Sequence, residues 1–187
     1  MRSLGNPSVR APVWAALACT LSVVGCGSKP SAPAIQDSAV YENNQEGLTF
    51  LVPKGWSCSA SATLPAAIEG EMVLAQWRMS SPEQGASVEI LCFDDVQQSD
   101  LQKYHEQASH AVEKWTASQE PEKLQIHGVD ATRHAYTGLM NRSEMTKEVV
   151  CFRRGNRVFS FIGLFVVEDE KAQQQLRRAV GSTRWTD

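Results

Sequence analysis

The feature that most constrains the fold of this 187-residue chain is a long apolar hairpin near its C-terminal end. Residues 147–154 (KEVVCFRR) and 157–165 (RVFSFIGLF) are rich in β-branched and aromatic residues, and only Gly155 and Asn156 separate them. A Gly-Asn pair between two such runs is typical of a two-residue β-turn, which sets the register of both strands. The predicted cross-strand pairs are Arg154 with Arg157, Phe152 with Phe159, Cys151 with Ser160, and Val150 with Phe161.

Both faces of this hairpin are apolar, because side chains alternate between the two faces of a strand. One face carries Val150, Phe152, Phe159 and Phe161, and the other carries Val149, Val158 and Ile162. A sheet that is apolar on both faces must be covered on both. A second hairpin is predicted from residues 71–79 and 86–93, which flank a loop of turn-forming residues.

Two segments have the pattern of helices that could cover the sheet. In the first, Ser99 and Gln102 match a Ser-x-x-Gln capping box, and apolar residues recur at helical spacing as far as Trp115. In the second, residues 168–180, acidic residues come first and an Arg-Arg pair comes near the end, as the helix dipole favours. We therefore predict an α+β fold, an antiparallel β-sheet with helices on both faces, or αβα sandwich.

The first 25 residues have the features of a secretory signal. Arg2 and Arg10 precede an apolar run over 11–25, which is shorter than the roughly 20 residues of a membrane span. The run ends in Val-Val-Gly before Cys26, a pattern that resembles the lipobox of bacterial lipoproteins. This resemblance implies cleavage before Cys26, a diacylglycerol on its thiol and acylation of the new N terminus. An ordinary signal peptide with an incidental cysteine is the alternative.

The sequence therefore divides into three parts: a signal peptide (1–25), the lipidated Cys26 with a flexible tether (26–45), and a globular domain (46–187). The tether is rich in Ser, Pro and Ala and has few residues that could be buried. The whole chain has a formal charge of −3, which gives no support for nucleic-acid binding. We expect a location in the cell envelope, facing the periplasm or the exterior. Gly27 after the cysteine favours the outer membrane if the host has one.

Residues 47–56 (GLTFLVPKGW) resemble the opening strand of PsbP-like proteins, in which Gly, an alternating apolar strand, Pro and an aromatic residue occur in this order. The later order of hairpin, helix, strand meander with a Gly turn, and terminal helix also agrees, so the resemblance covers roughly 41–187. This superfamily includes bacterial lipoproteins of the DcrB and LpqN type. The resemblance implies a PsbP-like sandwich that acts in binding or assembly. With the predicted lipid anchor, we expect an envelope protein or complex as the partner.

The histidines do not form a recognised metal motif. His105 and His110 have the spacing His-Glu-x-x-x-His, which puts them about 140° apart around a helix and prevents them from sharing one metal ion. We expect His105 to be packed and His110 to be solvated. His127 and His134 lie on opposite faces of a strand unless the chain bends at Gly128.

Two classes of function remain. The first is a non-catalytic binding or assembly module, held at the membrane through Cys26 and lacking a metal or cofactor. The alternative is a small hydrolase or metal-dependent enzyme that uses Asp94, Asp95, His105 and His127. The sequence has no Gly-x-Ser-x-Gly elbow, phosphate-binding loop or Cys-x-x-Cys pair, so we expect no catalytic residue.

Two further groups of residues stand out. Arg153, Arg154 and Arg157 cluster at the tip of the hairpin, where opposed like charges repel. Solvent, an internal acid or an anionic partner must accommodate these arginines, and we name them as candidate partner contacts. Apart from the predicted lipidated Cys26, the domain contains Cys58, Cys92 and Cys151. Two of these three form a disulfide and leave one thiol, or all three are thiols.

Overall fold

The computed structural model describes residues 39–60, 64–65, 70–79, 85–94 and 100–186. The predicted signal peptide, Cys26, the first part of the tether and Asp95 lie outside the described residues. Within those described ranges, no helix is long and apolar enough to cross a membrane.

The described residues form two antiparallel sheets and two helices. The strands are β1 (Val40–Asn43), β2 (Leu48–Leu51), β3 (Trp56–Ala60), β4 (Leu64–Pro65), β5 (Glu71–Met79), β6 (Ser87–Asp94), β7 (Thr116–Ala117), β8 (Glu122–Ile126), β9 (Val129–Met140), β10 (Ser143–Arg154), β11 (Arg157–Val166) and β12 (Arg184–Trp185). The helices are α1 (Leu101–Glu106) and α2 (Glu170–Gly181). The large sheet has the order β3-β5-β6-β11-β10-β9-β7, with β4 on β5 and β8 on β9, and the small sheet has the order β1-β2-β12.

The predicted C-terminal hairpin is confirmed in its register. Strands β10 and β11 pair Arg154 with Arg157 and Phe152 with Phe159, and the pairing continues to Met145 opposite Val166. The second predicted hairpin is also present, since β5 pairs antiparallel with β6. The two-residue turn therefore sets the alignment of two of the three longest strands among the described residues.

The two faces of the large sheet are buried in separate cores, as the hairpin pattern requires. One core contains Phe152 and Phe161 and is closed by α2 and the small sheet. The other contains Val149 and Ile162 and is closed by α1 and the residues that follow it. We call these the α2 face and the α1 face of the sheet.

The prediction of an αβα sandwich with helices on both faces is wrong. Strands make up 58% and helices 14% of the described residues, so the fold is mostly antiparallel sheet. The small sheet shares the cover of the α2 face with one helix, and α1 has only six residues. The apolar faces are covered as expected, but strands and irregular chain do much of the covering.

The helix predicted to run as far as Trp115 ends after Glu106. Gln107 has extended backbone angles, and His110 and Ala111 have the left-handed angles φ 56° and 60°. The predicted Ser99 cap lies outside the described residues, and Asp100 is the N-cap, accepting a hydrogen bond from the backbone N–H of Lys103. Trp115 is nevertheless buried in the core of the α1 face. The prediction that it packs on the sheet is therefore correct, whereas the prediction that it lies in a helix is wrong.

The small sheet extends the folded domain toward the N terminus. Strand β1 begins at Val40 and pairs with β2, so residues assigned to the tether contribute a strand. Tyr41 of this strand is buried and donates a hydrogen bond to the Leu74 carbonyl at 3.2 Å. The domain therefore begins before Glu46, where the sequence predicted its start.

Helix α2 is held to the sheet by apolar contact and by a buried charge. Leu176 is fully buried against β11, where Gly163 lets the helix approach closely. Glu148 of β10 is 1% exposed and forms ion pairs with Arg177 of α2 at 2.9 Å and Arg133 of β9 at 3.3 Å. These contacts satisfy a carboxylate that would otherwise be costly to bury.

Replacing Gly163 with alanine should destabilise the fold. A Cβ at this position would lie 2.2 Å from Cδ2 and 3.0 Å from Cγ of Leu176, so the helix or its side chain must shift. We expect Gly163→Ala to lower the free energy of unfolding by about 1–3 kcal/mol, measured by urea denaturation. Gly181→Ala is the matched control, because no atom lies within 4 Å of its added Cβ. Equal stability of Gly163→Ala and the wild type would show that α2 does not pack this closely.

Candidate functional site

The candidate site is a cleft on the α1 face of the sheet, between strands β5, β6 and β11 and residues 104–112. A bulge at Leu74 places Val73 and Gln76 on the cleft side, opposite Leu91 and Glu89 of β6. Leu74 itself is buried in the core of the other face. The bulge therefore aligns polar and apolar side chains of two neighbouring strands along one wall.

One end of the cleft is a cavity of about 350 Å³, which we call the acidic cavity. Val73, Leu91 and Ile162 form its apolar wall, and Glu71 and Glu89 place carboxylates on it. Pockets for small ligands have volumes of about 300–1,000 Å³ and combine apolar walls with a few polar groups. The cavity is therefore of a size and composition that suits ligand binding.

Both carboxylates of the acidic cavity have hydrogen-bond partners in the protein. The Tyr104 hydroxyl donates to Glu71. Glu89 lies 2.9 Å from His110 Nε2, and Gln76 Nε2 donates to its other oxygen at 3.4 Å. Burial raises the pKa of Glu71, and the nearby Glu89 carboxylate raises it further. A cation entering the cavity would relieve this repulsion.

A buried lysine lies at the back of the acidic cavity. Lys147 is 1% exposed, and its ammonium donates to the His105 carbonyl and to Ser109 Oγ. The ammonium nitrogen also lies 4.5 Å from the centre of the Trp115 ring and 5.2 Å from that of Tyr136. Burial lowers the pKa of Lys147 to about 7. Lys147 is therefore held by the segment that forms the outer wall of the cleft.

His105 belongs to a buried cluster that has the wrong electrostatics for nucleophilic catalysis. Its Nε2 lies 3.6 Å from Cys151 Sγ and 3.4 Å from Ser160 Oγ. Burial lowers the pKa of His105 to about 3 and raises the pKa of Cys151 to about 12. An activated cysteine needs a lowered pKa and access to substrate. The cluster therefore has the character of a packed polar core, as expected for His105.

The residues considered for a hydrolytic or metal site lie in different surroundings. Asp94 pairs with Arg157 at 3.4 Å, His105 is buried beside Cys151, and His127 lies in the turn between β8 and β9. The bend at Gly128 that we considered is present. Within the described ranges, no three His, Cys, Asp or Glu side chains are grouped so that they could hold a metal ion.

His110 differs from the helical geometry assumed for it, whereas His134 lies on strand β9. His110 is on irregular chain and contacts Glu89 of the cleft, so it is not simply solvated. His134 is buried and stacks on Tyr136 with the ring centres 6.3 Å apart. Neither ring nitrogen of His134 has a hydrogen-bond partner within the described part of the chain.

The arginines at the hairpin tip make contacts within the domain. Arg157 Nη1 donates to Glu46 at 2.6 Å, so an internal acid accommodates this charge. The Arg154 guanidinium lies 4.9 Å from the centre of the Trp185 ring, and Arg153 is exposed. The predicted role of the three arginines in contacting a partner stays a prediction.

The cysteines lie far apart in the architecture. Cys92 faces the core closed by α2, and Cys151 faces the core closed by α1. Cys58 is exposed on the edge strand β3. No disulfide joins these three cysteines in the described structure.

The sequence interpretation missed Lys147, Glu71 and Glu89. Lys147 shares a strand face with Val149 and Cys151, so alternation along the predicted strand would have indicated a buried lysine. The two glutamates had no such signal, because they meet only when β5 and β6 pair around the bulge.

The fold is similar to that of solved structures. It matches the solution structure of cyanobacterial PsbP (CyanoP) from Synechocystis sp. PCC 6803 with a TM-score of 0.58 and 15% identity, over 86% of this chain and 100% of that one. It also matches the Ran-binding protein Mog1p of Saccharomyces cerevisiae with a TM-score of 0.54 and 15% identity, over 80% of this chain and 96% of that one. No protein-family model and no curated protein sequence matches the chain. The PsbP-like fold is thereby confirmed.

Replacing Glu89 with glutamine should lower the pKa of Glu71. The substitution removes the neighbouring negative charge but leaves the burial of Glu71, so its pKa should remain above the usual value of 4.5. The measurement is a ¹³C NMR titration of the Glu71 carboxyl. Glu122→Gln, which removes an exposed carboxylate paired with Arg133, is the control and should leave the titration unchanged. An unaltered Glu71 titration in Glu89→Gln would contradict the proximity of the two carboxylates.

Replacing Lys147 with methionine should flatten the pH dependence of stability above pH 7. The pKa of Lys147 is about 7 in the folded chain and about 10.4 when unfolded, so the unfolded state binds more protons in this interval. The free energy of unfolding of the wild type should therefore rise with pH, by up to about 1.4 kcal/mol per pH unit. Urea denaturation at pH 7 and pH 9 measures the difference. The same rise in Lys147→Met would assign it to another group.

Proposed function

We propose that the chain is a non-catalytic binding module anchored to a membrane and exposed outside the cytoplasm. The cleft is the observation that carries the binding role. Its acidic cavity of about 350 Å³ combines an apolar wall with two carboxylates that have partners in the protein. The thiol of Cys151 and the imidazole of His105 are buried, with pKa values shifted away from catalysis, and the His110 imidazole is engaged by Glu89. The cleft offers surfaces for recognition and no activated nucleophile.

The solved structures of similar fold are consistent with a binding role. Mog1p is described as a Ran-binding protein, so a domain of this fold can bind a protein partner. At 15% identity, the similarity supports a shared fold but does not identify the partner of this chain. We propose an envelope protein or complex as the partner here, because the predicted signal peptide would direct the domain to that compartment.

The proposed anchor is the lipid on Cys26. Apolar burial of about 0.8 kcal/mol per CH₂ makes one acyl chain a marginal anchor, whereas two or three chains hold a protein firmly. The residues between Cys26 and β1 would then separate the domain from the membrane surface. The domain would face the periplasm or the exterior, at the outer membrane if the host has one.

Replacing Cys26 with serine should abolish lipid labelling and release the protein from membranes or leave it unprocessed. The substitution removes the thiol that would carry the diacylglycerol. The measurement is metabolic labelling with an alkyne fatty acid, followed by membrane fractionation in the native host. Cys19→Ser is the matched control, because Cys19 lies within the predicted signal peptide and should leave labelling intact. Labelling that persists in Cys26→Ser would refute the anchor.

A further inference from the structure

We propose that a second cavity in the cleft binds a single aliphatic chain with an anionic head group, of the fatty-acid class. This inference deepens the proposed binding role and does not depend on the lipid anchor. The cavity has a volume of about 450 Å³ and adjoins the acidic cavity at His110. We call it the apolar cavity.

The lining of the apolar cavity is polar on one side and apolar on the other. Its polar lining comes from Gln76, Arg78, Ser87 and His110. Its apolar lining includes Val112, Trp115, Met140, Met145 and Leu164. This division is the one an amphiphile needs, with a head group at one end and a chain along the other.

The sheet register brings these residues together across neighbouring strands. Arg78 of β5 lies opposite Ser87 of β6, and Ser87 lies opposite Leu164 of β11. On the next strand, β10, the buried Lys147 lies opposite Leu164, and Met145 lies two residues away, opposite Val166 and facing the same core as Leu164. Strands are about 4.8 Å apart, so the distance from β5 to β10 is about 14 Å. A chain about as long as dodecanoate matches this distance.

Arg78 supplies the charge that selects an anionic head group. It is exposed at the polar end of the cavity and makes no ion pair within the described part of the chain. A guanidinium can donate two parallel hydrogen bonds to a carboxylate. The nearby Glu89 carboxylate is held by His110 and Gln76 and lines the acidic cavity instead. The polar end is therefore suited to an anion rather than a cation.

The apolar end suits a flexible chain. Met140 and Met145 have unbranched side chains that adapt to ligands of irregular shape. Met145 is 2% exposed, so this end of the apolar cavity lies away from bulk water. Transfer of each methylene from water should tighten binding by up to about fourfold.

The test compares three probes of equal chain length and different head group: dodecanoate, dodecanol and dodecylammonium. Binding is measured by isothermal titration calorimetry on the full chain carrying Cys26→Ser, purified without detergent, below the concentration at which the probes form micelles. We expect dodecanoate to bind at least tenfold more tightly than dodecanol. Dodecylammonium should bind most weakly when Glu71 and Glu89 are both replaced by glutamine, because the adjoining acidic cavity then has no carboxylate to hold its ammonium group. Decanoate should bind several-fold more weakly than dodecanoate.

The charge of Arg78 is tested with Arg78→Gln, a conservative change at an exposed position. We expect the affinity for dodecanoate to fall at least tenfold while that for dodecanol stays unchanged. Lys171→Gln is the matched control, because Lys171 is exposed on α2, on the opposite side of the sheet. If both substitutions lower the affinity for dodecanoate equally, the loss comes from the change in net charge and the proposal is overturned.

Two results would overturn the ligand class in different ways. Equal or tighter binding of dodecanol, or of dodecylammonium when both glutamates are replaced, would show a cavity that binds chains without selecting an anion, so the binding role would stand without this ligand. Absence of binding by all three probes would remove the apolar cavity as a site for aliphatic chains. Failure of the anchor would be seen separately, as lipid labelling that persists in Cys26→Ser.

Discussion

The structure depends on the burial of strands β10 and β11 on both faces. Their alternating side chains supply Val150 and Phe152 to one core and Val149 and Ile162 to the other. A sheet of this kind is stable only when other parts of the chain cover both sides. Helix α2 and the small sheet cover one side, and α1 with the irregular chain after it covers the other. The positions of these covering elements in turn decide where a cleft can remain open.

Two adjacent buried charges fix the covering elements more specifically than apolar contact can. Lys147 and Glu148 lie side by side on β10 and point to opposite faces, and each is 1% exposed. Glu148 is paired with Arg177 of α2, whereas Lys147 donates to the carbonyl of His105 at the end of α1. An incorrect position of α2 would leave the Glu148 carboxylate with Arg133 alone, and an incorrect position of α1 would take the His105 carbonyl away from the Lys147 amine. Each loss leaves a buried polar group short of a hydrogen-bond partner, at a cost of about 1–3 kcal/mol. Apolar burial drives the covering, and these charges select one arrangement of it.

The sequence predicted those parts of the fold that depend on local pattern. The register of β10 and β11 was predictable because a two-residue turn allows only one alignment. The end of helix α1 was not predictable in the same way. The spacing of Leu101, Val112 and Trp115 is compatible with a helix, but also with irregular chain that packs these residues on the sheet. The left-handed angles of His110 and Ala111 are set by tertiary contacts and have no signal in a non-glycine sequence. The cleft could not be predicted from the sequence either, because Glu71 and Glu89 come together only when β5 and β6 pair around a bulge.

The polar groups of the two cavities differ in whether they already have partners within the protein. In the acidic cavity Glu71 and Glu89 already have partners within the protein, so a ligand must displace or share those hydrogen bonds. In the apolar cavity Arg78 makes no ion pair with any residue of the described ranges, so an incoming anion displaces no ion-pair partner among those residues. This difference cannot be inferred from a fold shared at 15% identity. It comes from the side chains that this sequence places on β5 and β6.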